Sequence, residues 1–181
     1  MATTKLLTAE DLFEMGSEAG YELIRGELVE MPPTGHESSS IALRIGIKVG
    51  GYIEENHLGG ISGTDGGFIL ARDPDIVVAP DFAFVRADRM PEGEQRKRYL
   101  ELSPDFVVEV VSPSDRYTNV HNKIMLYLRS GVRLVWIVDP EQQTITTFTS
   151  DSPPHVYSAS DSIGGGDVLP DFTMPVAGIF A

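Results

Sequence analysis

The sequence predicts an α/β fold, or α+β, organised around one strand–helix–strand unit. The run FVVEVV at residues 106–111 is rich in β-branched and aromatic side chains, which indicates a strand buried on both faces. Ser112-Pro113 ends that strand, and a helix capped by Ser114 or Asp115 is expected to run to Gly131. The run RLVWIV that follows predicts the second strand of the unit.

Shorter elements are expected on both sides of this unit, and the tail after them is expected to hold turns with short edge strands. A proline at position 80 interrupts one predicted strand, because a regular central strand should not contain proline. The predicted elements are a capped helix over 8–15, hairpin strands 21–24 and 27–31, a helix over 38–56, strands 68–70 and 76–85, and a second hairpin formed by 133–138 and 144–148.

Composition fits one globular domain over residues 1–181. Of the side chains, 41% are apolar and 23% are charged, which is enough to bury a sizeable core. No run approaches the roughly eighteen apolar residues of a membrane span, and the N-terminus lacks the pattern of a signal peptide. The absence of cysteine excludes disulfides, thiolate zinc sites and thiol catalysis, and it fits the reducing cytoplasm.

The chain is acidic, with a net charge of −13, which argues against indiscriminate binding to nucleic acid. Its basic residues are nevertheless clustered. Nine of the fourteen lie between 86 and 133, against seven acidic residues there, and none follows Arg133. A mixed-charge solvated surface is the ordinary explanation of such a segment, and a phosphate-binding patch is the alternative. Any nucleic acid is expected to meet this segment and not the acidic C-terminal tail.

Glu109 is the one carboxylate inside the central apolar strand. A buried ionised carboxylate must be paired, metal-bound or neutralised by a shifted pKa, so packing alone does not explain it. The following helix has an apolar face, and Lys123 lies beside that stripe. We therefore expect the Lys123 ammonium to reach the strand on which the helix packs. The apolar face consists of Val120, Ile124, Tyr127 and Leu128.

A second carboxylate, Asp81, follows the strand-breaking Pro80, and a kink there re-aims the side chain after it. Two carboxylates on neighbouring strands with a lysine beside them are suited to a hard divalent cation. Mg²⁺ binds through one or two carboxylates and keeps several waters. Such an ion polarises a phosphodiester and lowers the pKa of a bound water, while Lys123 orients that water or stabilises developing charge. The sequence therefore predicts Asp81 and Glu109 as ligands of Mg²⁺ or Mn²⁺.

Two further residues are candidates of second rank. Glu22 lies in the N-terminal hairpin, where a glutamate on an exposed face would be ordinary. His36 stands just before the helix over 38–56, near an N-terminus where a phosphate or carboxylate can bind, although a lone loop histidine is usually solvated. Other chemistries are weaker, because no Gly-x-Ser-x-Gly motif accompanies the four histidines and their spacing is not that of a zinc site.

Several segments, in this order and spacing, resemble the putative restriction endonuclease family, a branch of the PD-(D/E)XK nuclease superfamily. The similarity extends over almost the whole chain, from the YELIRGEL hairpin to the LPDF and IF segments of the tail. The residues that carry it are Pro80-Asp81, Glu109 to Ser114, Lys123, Tyr127, Gly131 and Trp136 to Pro140.

This resemblance implies a restriction-endonuclease-like mixed β-sheet flanked by helices, with added N-terminal and C-terminal hairpins. It also implies a Mg²⁺-dependent endonuclease that hydrolyses DNA, with Asp81 and Glu109 as metal ligands. The superfamily pattern has lysine two residues after the second acid, and that position is Val111 here. In the branch that this chain resembles, the next helix carries the lysine, which assigns the role to Lys123.

The same resemblance covers the second-rank candidates. Glu22 matches an additional N-terminal acid of such sites, and His36 matches a polar position that recurs before the second helix. Family members often have Asp four residues before the lysine, whereas this chain has Asn119. A homodimer is expected, since cutting both strands of DNA favours a two-fold assembly.

A non-catalytic alternative stays open from the residues alone. Glu109 and Lys123 can form a structural ion pair at the rim of the core, and Asp81 can be a turn residue after Pro80. The chain would then be a module that binds nucleic acid or protein and keeps the nuclease fold without turnover. Its acidic surface favours that alternative.

Overall fold

The computed structural model describes residues 6–16, 20–113 and 115–180, and it confirms a mixed α/β fold. The α-helices are α1 Ala9–Met15, α2 His36–Ile45, α3 Gly51–Glu55 and α4 Tyr117–Arg129. The strands are β1 Tyr21–Ile24, β2 Glu27–Glu30, β3 Gly59–Gly63, β4 Phe68–Ala71, β5 Ile76–Val78, β6 Phe82–Arg86, β7 Phe106–Val110, β8 Leu134–Asp139, β9 Thr144–Phe148, β10 His155–Ser158, β11 Ser162–Gly165 and β12 Leu169–Pro175.

Three sheets contain these strands. The largest has six strands in the order β10-β9-β8-β7-β6-β3, and it is mixed because β7 and β8 are parallel while its other pairs are antiparallel. A four-stranded sheet has the order β2-β1-β5-β4, and β11 pairs with β12 in a separate ribbon. The parallel pair is joined by α4, as the predicted strand–helix–strand unit requires.

The N-terminal elements form as the sequence predicts. Thr8 caps α1 through a capping box, in which its side chain accepts from the Asp11 amide and the Asp11 carboxylate accepts from the Thr8 amide. The β1–β2 hairpin turns at Arg25 and Gly26, which have φ of 54° and 80°. Positive φ at both central positions matches the right-handed twist of the strands, so the turn sets the hairpin register.

The helix predicted over 38–56 begins two residues earlier, at His36, and is not uniform. A π-helical segment, Gly46–Gly50, separates α2 from α3. A side chain at position 50 would place its Cβ 3.0 Å from Ile61 of β3. Glycine at this position therefore lets the helix pack closely against the six-stranded sheet.

The strand predicted over 76–85 breaks at Pro80 into two strands that lie in different sheets. Its first half is β5 in the four-stranded sheet, and its second half is β6 in the six-stranded sheet. The proline thus causes more than a kink, because the three residues Ala79-Pro80-Asp81 carry the chain from one sheet to the other. The side chain that follows the proline therefore lies where the two sheets meet.

Two apolar layers cover the faces of the six-stranded sheet. On one face α2 and α3 pack with the C-terminal ribbon over large side chains such as Trp136 and Phe106. On the other face α4 packs through Ile124 and Tyr127 onto Val107 and its neighbours. In the parts of the chain that the structure describes, every helix is too short or too polar to cross a membrane.

The start of α4 differs from the sequence prediction. Asp115 does not cap this helix, because Arg116 is its N-cap residue and makes no side-chain cap hydrogen bond. The Asp115 carboxylate accepts instead from the Ser112 amide at 2.7 Å, which closes the turn after β7. Ser114, the alternative cap, lies outside the described residues.

The C-terminal tail contributes more to the core than its turn-rich sequence suggested. It forms β10 at the edge of the six-stranded sheet and the β11–β12 ribbon, so the predicted short strands are confirmed. The ribbon buries its apolar side chains in the layer that covers the α2 face of the sheet. These side chains are Ile163, Leu169, Phe172 and Met174.

Candidate active site

Asp81 immediately precedes β6 and Glu109 lies on the neighbouring strand β7, and both are on the same face of the six-stranded sheet. In the antiparallel β6–β7 pair, Phe82 is opposite Val108, so one further step of the register brings Asp81 opposite Glu109. The Asp81 Oδ2 atom accepts a hydrogen bond of 2.7 Å from the Val110 amide. Because side chains alternate along a strand, both carboxylates lie on the face that α4 covers.

Lys123 connects this pair of strands to the other sheet. Its Nζ lies 3.0 Å from Oε1 of Glu109 on β7 and 3.1 Å from Oε1 of Glu22 on β1. The Lys123 side chain is 19% exposed, and those of Glu22 and Glu109 are 4% and 15% exposed. We predicted from sequence that Lys123 reaches the strand, and the structure places it there with Glu22 as its second direct partner.

Glu22 is buried, with only 3% of its surface exposed, so it is not an ordinary surface glutamate. Its Oε1 atom also accepts a hydrogen bond of 3.0 Å from the Ala79 amide, at the passage between the two sheets. Burial raises the pKa of Glu22, and the charge of Glu109 raises it further, although Lys123 acts in the opposite direction. Glu22 thus joins Asp81, Glu109 and Lys123 in one polar cluster.

Each of the three carboxylates uses one oxygen for internal contacts. Asp81 Oδ2 binds the Val110 amide, Glu22 Oε1 binds the Ala79 amide and Lys123, and Glu109 Oε1 binds Lys123 and the Tyr127 hydroxyl. Across residues 6–16, 20–113 and 115–180, the second oxygen of each carboxylate accepts no hydrogen bond. The cluster therefore offers one carboxylate oxygen each from Glu22, Asp81 and Glu109 that has no hydrogen-bond partner among the described residues.

The cluster has an excess of negative charge. With all groups ionised, its three carboxylates and one ammonium sum to two negative charges in a largely buried place. Burial, followed by the charge of Glu109, raises the pKa of Asp81 to about 6. Burial alone would lower the pKa of Lys123, but Glu109 and Glu22 outweigh it and raise that pKa on balance, so Lys123 stays protonated at neutral pH.

These donors fit a hard divalent cation of the Mg²⁺ type. Carboxylate oxygen is the ligand that Mg²⁺ prefers, and this ion binds through one or two carboxylates while keeping its waters. Among the residues that the structure describes, no three His, Cys, Asp or Glu side chains converge as ligands of one ion. The donor set therefore suits an ion held by two carboxylates and water better than one that needs a full protein cage.

Tyr127 is a member of the site that the sequence pattern assigned only to the apolar face of α4. Its ring is fully buried in the core, yet its hydroxyl donates to Glu109 Oε1 at 2.5 Å. Burial and the nearby carboxylates raise the pKa of Tyr127 well above its usual value, so the hydroxyl stays neutral. The signal available in the sequence was its position one helical turn after Lys123, on the side that meets Glu109.

His36 is not joined to this cluster by a contact within the described residues. It is the first residue of α2, it is exposed, and no hydrogen bond or ion pair links it to Asp81, Glu109 or Lys123. Asn119 is exposed on α4. A role for His36 therefore stays a prediction, whereas the structure brings Glu22, Asp81, Glu109 and Lys123 together.

Comparison with known proteins identifies the family. A family model described as Uma2, putative restriction endonuclease, matches residues 8–177. The chain belongs to this family. Among solved structures, a putative nuclease belonging to DUF820 from Anabaena variabilis is similar to it, with a TM-score of 0.82 and 17% sequence identity over 96% of this chain and 97% of that chain. No curated protein matches. The structural match confirms the restriction-endonuclease-like fold.

The basic segment of this Uma2 chain is more internally paired than its composition suggested. Four of the nine cations between 86 and 133 form ion pairs within the protein, so they are less available to a ligand. These pairs are Arg86 with Asp88, Arg89 with Asp105, Lys97 with Glu94, and Lys123 with Glu22 and Glu109.

In the metal-free protein, we expect Asp81→Asn to increase the free energy of unfolding. The pKa of Asp81 is about 6 in the folded protein, against an ordinary value of 3.8. Ionisation of Asp81 therefore opposes folding, and the free energy of unfolding falls as the pH rises from about 4 to 6. At 1.36 kcal/mol per pKa unit, Asp81→Asn should raise the free energy of unfolding by about 1–3 kcal/mol at pH 7.5 and leave it almost unchanged at pH 4. Urea unfolding in EDTA at both pH values measures it.

Asp105→Asn is the matched control for that measurement. Asp105 is also a buried carboxylate next to β7, but at the opposite end of the strand, where it accepts from the Arg86 amide and pairs with Arg89. Its neutralisation should destabilise the protein at pH 7.5, because Arg89 loses its partner. A loss of stability for Asp81→Asn as well would mean that Asp81 is a structural carboxylate.

Proposed function

We propose that this chain is a Mg²⁺-dependent endonuclease that hydrolyses phosphodiester bonds of DNA, with Asp81 and Glu109 as ligands of the metal. The observation that carries the proposal is the charge of the cluster, in which three carboxylates and one ammonium leave two negative charges in excess when all are ionised. A divalent cation balances that excess, and Asp81 and Glu109 each keep one oxygen that accepts no hydrogen bond from the described residues. Membership of a putative restriction endonuclease family supports this chemistry.

In this proposal the side chains have distinct roles. When bound, the ion polarises the phosphodiester and lowers the pKa of a water, which supplies the nucleophile. Lys123 is a cation in the metal-free cluster, and in this proposal it donates hydrogen bonds and stabilises negative charge that develops on the phosphate. Glu22 and Glu109 fix the Lys123 ammonium from two sides.

The reaction balances as an ordinary hydrolysis. A new bond forms between phosphorus and the oxygen of water, and that water releases a proton to the solvent. The bond between phosphorus and the leaving sugar oxygen breaks, and the leaving oxygen takes up a proton from the solvent. The chain supplies positioning and electrostatic stabilisation, and it forms no covalent intermediate in this scheme.

We expect Lys123→Met to abolish Mg²⁺-dependent cleavage of DNA while the fold is retained. Loss of one positioned electrostatic group typically lowers the rate by about 10²- to 10⁴-fold. The measurement is nicking of supercoiled plasmid with Mg²⁺ or Mn²⁺, with circular dichroism to check the fold. Lys97→Met is the control. Lys97 is exposed and is paired, among the described residues, with Glu94 alone, so this variant should cut DNA like wild type.

The non-catalytic alternative predicts different results in this experiment. Lys123 lies between two carboxylates, as a purely structural ion pair also would. If purified wild type cuts no substrate under any divalent metal, the binding-module alternative replaces the nuclease. If Lys123→Met cuts as fast as wild type, Lys123 has no part in the reaction.

Binding of a nucleic-acid backbone, as the proposed DNA substrate requires, is supported by an exposed cation near the site. Arg116 immediately precedes α4, is exposed, and forms no ion pair with any residue that the structure describes. It lies at the end of α4 that follows β7, and Lys123 is about 10 Å further along the helix. We propose that Arg116 contacts a backbone phosphate of the bound strand, as an exposed cation beside a nuclease site is placed to do.

Charge reversal at Arg116 should weaken DNA binding more than the same change at Arg129. Arg129 ends α4, about 20 Å from Arg116, and it is likewise exposed and without an ion pair in the described ranges. Both variants change the net charge equally, so only position differs. Fluorescence anisotropy in EDTA at several salt concentrations should show a salt slope reduced by about 1 for Arg116→Glu alone. Equal losses for the two variants would indicate non-specific attraction.

The proposal extends to assembly and location. We propose that residues 1–181 act as one domain in the cytoplasm, which the absence of cysteine fits, and that two copies pair to cut both strands. Light scattering after size exclusion should give twice the monomer mass of 19.7 kDa. A monomer that makes only single-strand nicks would contradict the dimer.

A further inference from the structure

Tyr127 is an aromatic residue of the core whose hydroxyl has a specific partner. It has 0% exposure and packs in the apolar layer between α4 and the six-stranded sheet. A phenylalanine would fill almost the same space with no polar atom to satisfy. The buried hydroxyl is therefore acceptable only because it donates to Glu109 Oε1. Packing explains the ring of Tyr127, but it does not explain the hydroxyl.

The two donors on Glu109 meet at a single oxygen. Glu109 Oε1 accepts from Tyr127 Oη at 2.5 Å and from Lys123 Nζ at 3.0 Å. Rotation of the carboxylate would break both hydrogen bonds, so its orientation is fixed. Glu109 Oε2 accepts no hydrogen bond from the described residues and is the oxygen left for a ligand.

The two donors also differ in what they do to the cluster. Lys123 is shared with Glu22 and brings a positive charge, so it reduces the negative charge that a cation would meet. Tyr127 has one partner among the described residues and brings no charge. It can therefore hold the Glu109 carboxylate in place while leaving its full negative charge for a metal ion.

We propose that Tyr127 is a positioning residue, which holds Glu109 so that Oε2 faces a divalent cation bound with Asp81. This inference rests on the proposed function, since it names how that metal site is oriented. It assigns Tyr127 a role in metal affinity in addition to its packing. Groups that hold a metal ligand in this way typically contribute about 10- to 100-fold to affinity.

The test is calorimetric titration of Mg²⁺ and of Mn²⁺ into the metal-free protein of residues 1–181. Tyr127→Phe removes only the hydroxyl and keeps the ring in the core, so the fold should survive. We expect the dissociation constant to rise at least about 10-fold. In plasmid cleavage, the Mg²⁺ concentration that gives half-maximal activity should rise by the same factor. Saturating Mg²⁺ should restore kcat of Tyr127→Phe to within a few-fold of the wild-type value. A merely structural role would lower the Tm without moving the Mg²⁺ titration.

Tyr52→Phe is the matched control. The Tyr52 hydroxyl also donates at 2.5 Å, but to the Pro170 carbonyl in the layer on the opposite face of the sheet. Its removal should leave the Mg²⁺ affinity unchanged. If wild type binds metal and Tyr127→Phe binds it equally well, the positioning role is overturned while the proposed function stands. If wild type binds neither Mg²⁺ nor Mn²⁺, both are overturned.

Discussion

The ammonium of Lys123 lies between two carboxylates that belong to different sheets. Glu22 comes from the four-stranded sheet, Glu109 comes from the six-stranded sheet, and Lys123 itself comes from the helix that covers the second of these. All three side chains are largely buried, and a buried charge without its partner costs about 3–5 kcal/mol. The relative position of two sheets and one helix is thus constrained at a single nitrogen atom.

The central part of the site could be predicted from local pattern. Glu109 interrupts a run of apolar residues, and Asp81 follows a proline that cannot stay in a central strand. Lys123 lies beside a regular apolar stripe, so its direction followed from helical periodicity. These three inferences needed only the periods of strand and helix and the cost of burying a charge.

Other members of the site depend on contacts that are distant in sequence. Glu22 belongs to a short hairpin whose pattern is compatible with exposure, and it is buried because β1 pairs with β5 more than fifty residues later. Tyr127 has the same place in the apolar pattern whether or not its hydroxyl has a partner. The cations of the basic segment could likewise be counted against its seven acidic residues, but the sequence did not show which of them pair, as buried Asp105 does with Arg89. One domain over residues 1–181 and a role for His36 stay predictions.

The division of the cluster between two sheets also shapes how the chain folds. Residues 21–78 contain all four strands of the smaller sheet, and this segment is synthesised well before α4. A nascent chain that closed this sheet early would bury Glu22 with no cation beside it, which is unfavourable. The sheet gains its full stability only when α4 docks and supplies Lys123. We therefore expect the two sheets to form together in one cooperative transition, and a fragment that ends before α4 to lack the Lys123 contact that pairs Glu22.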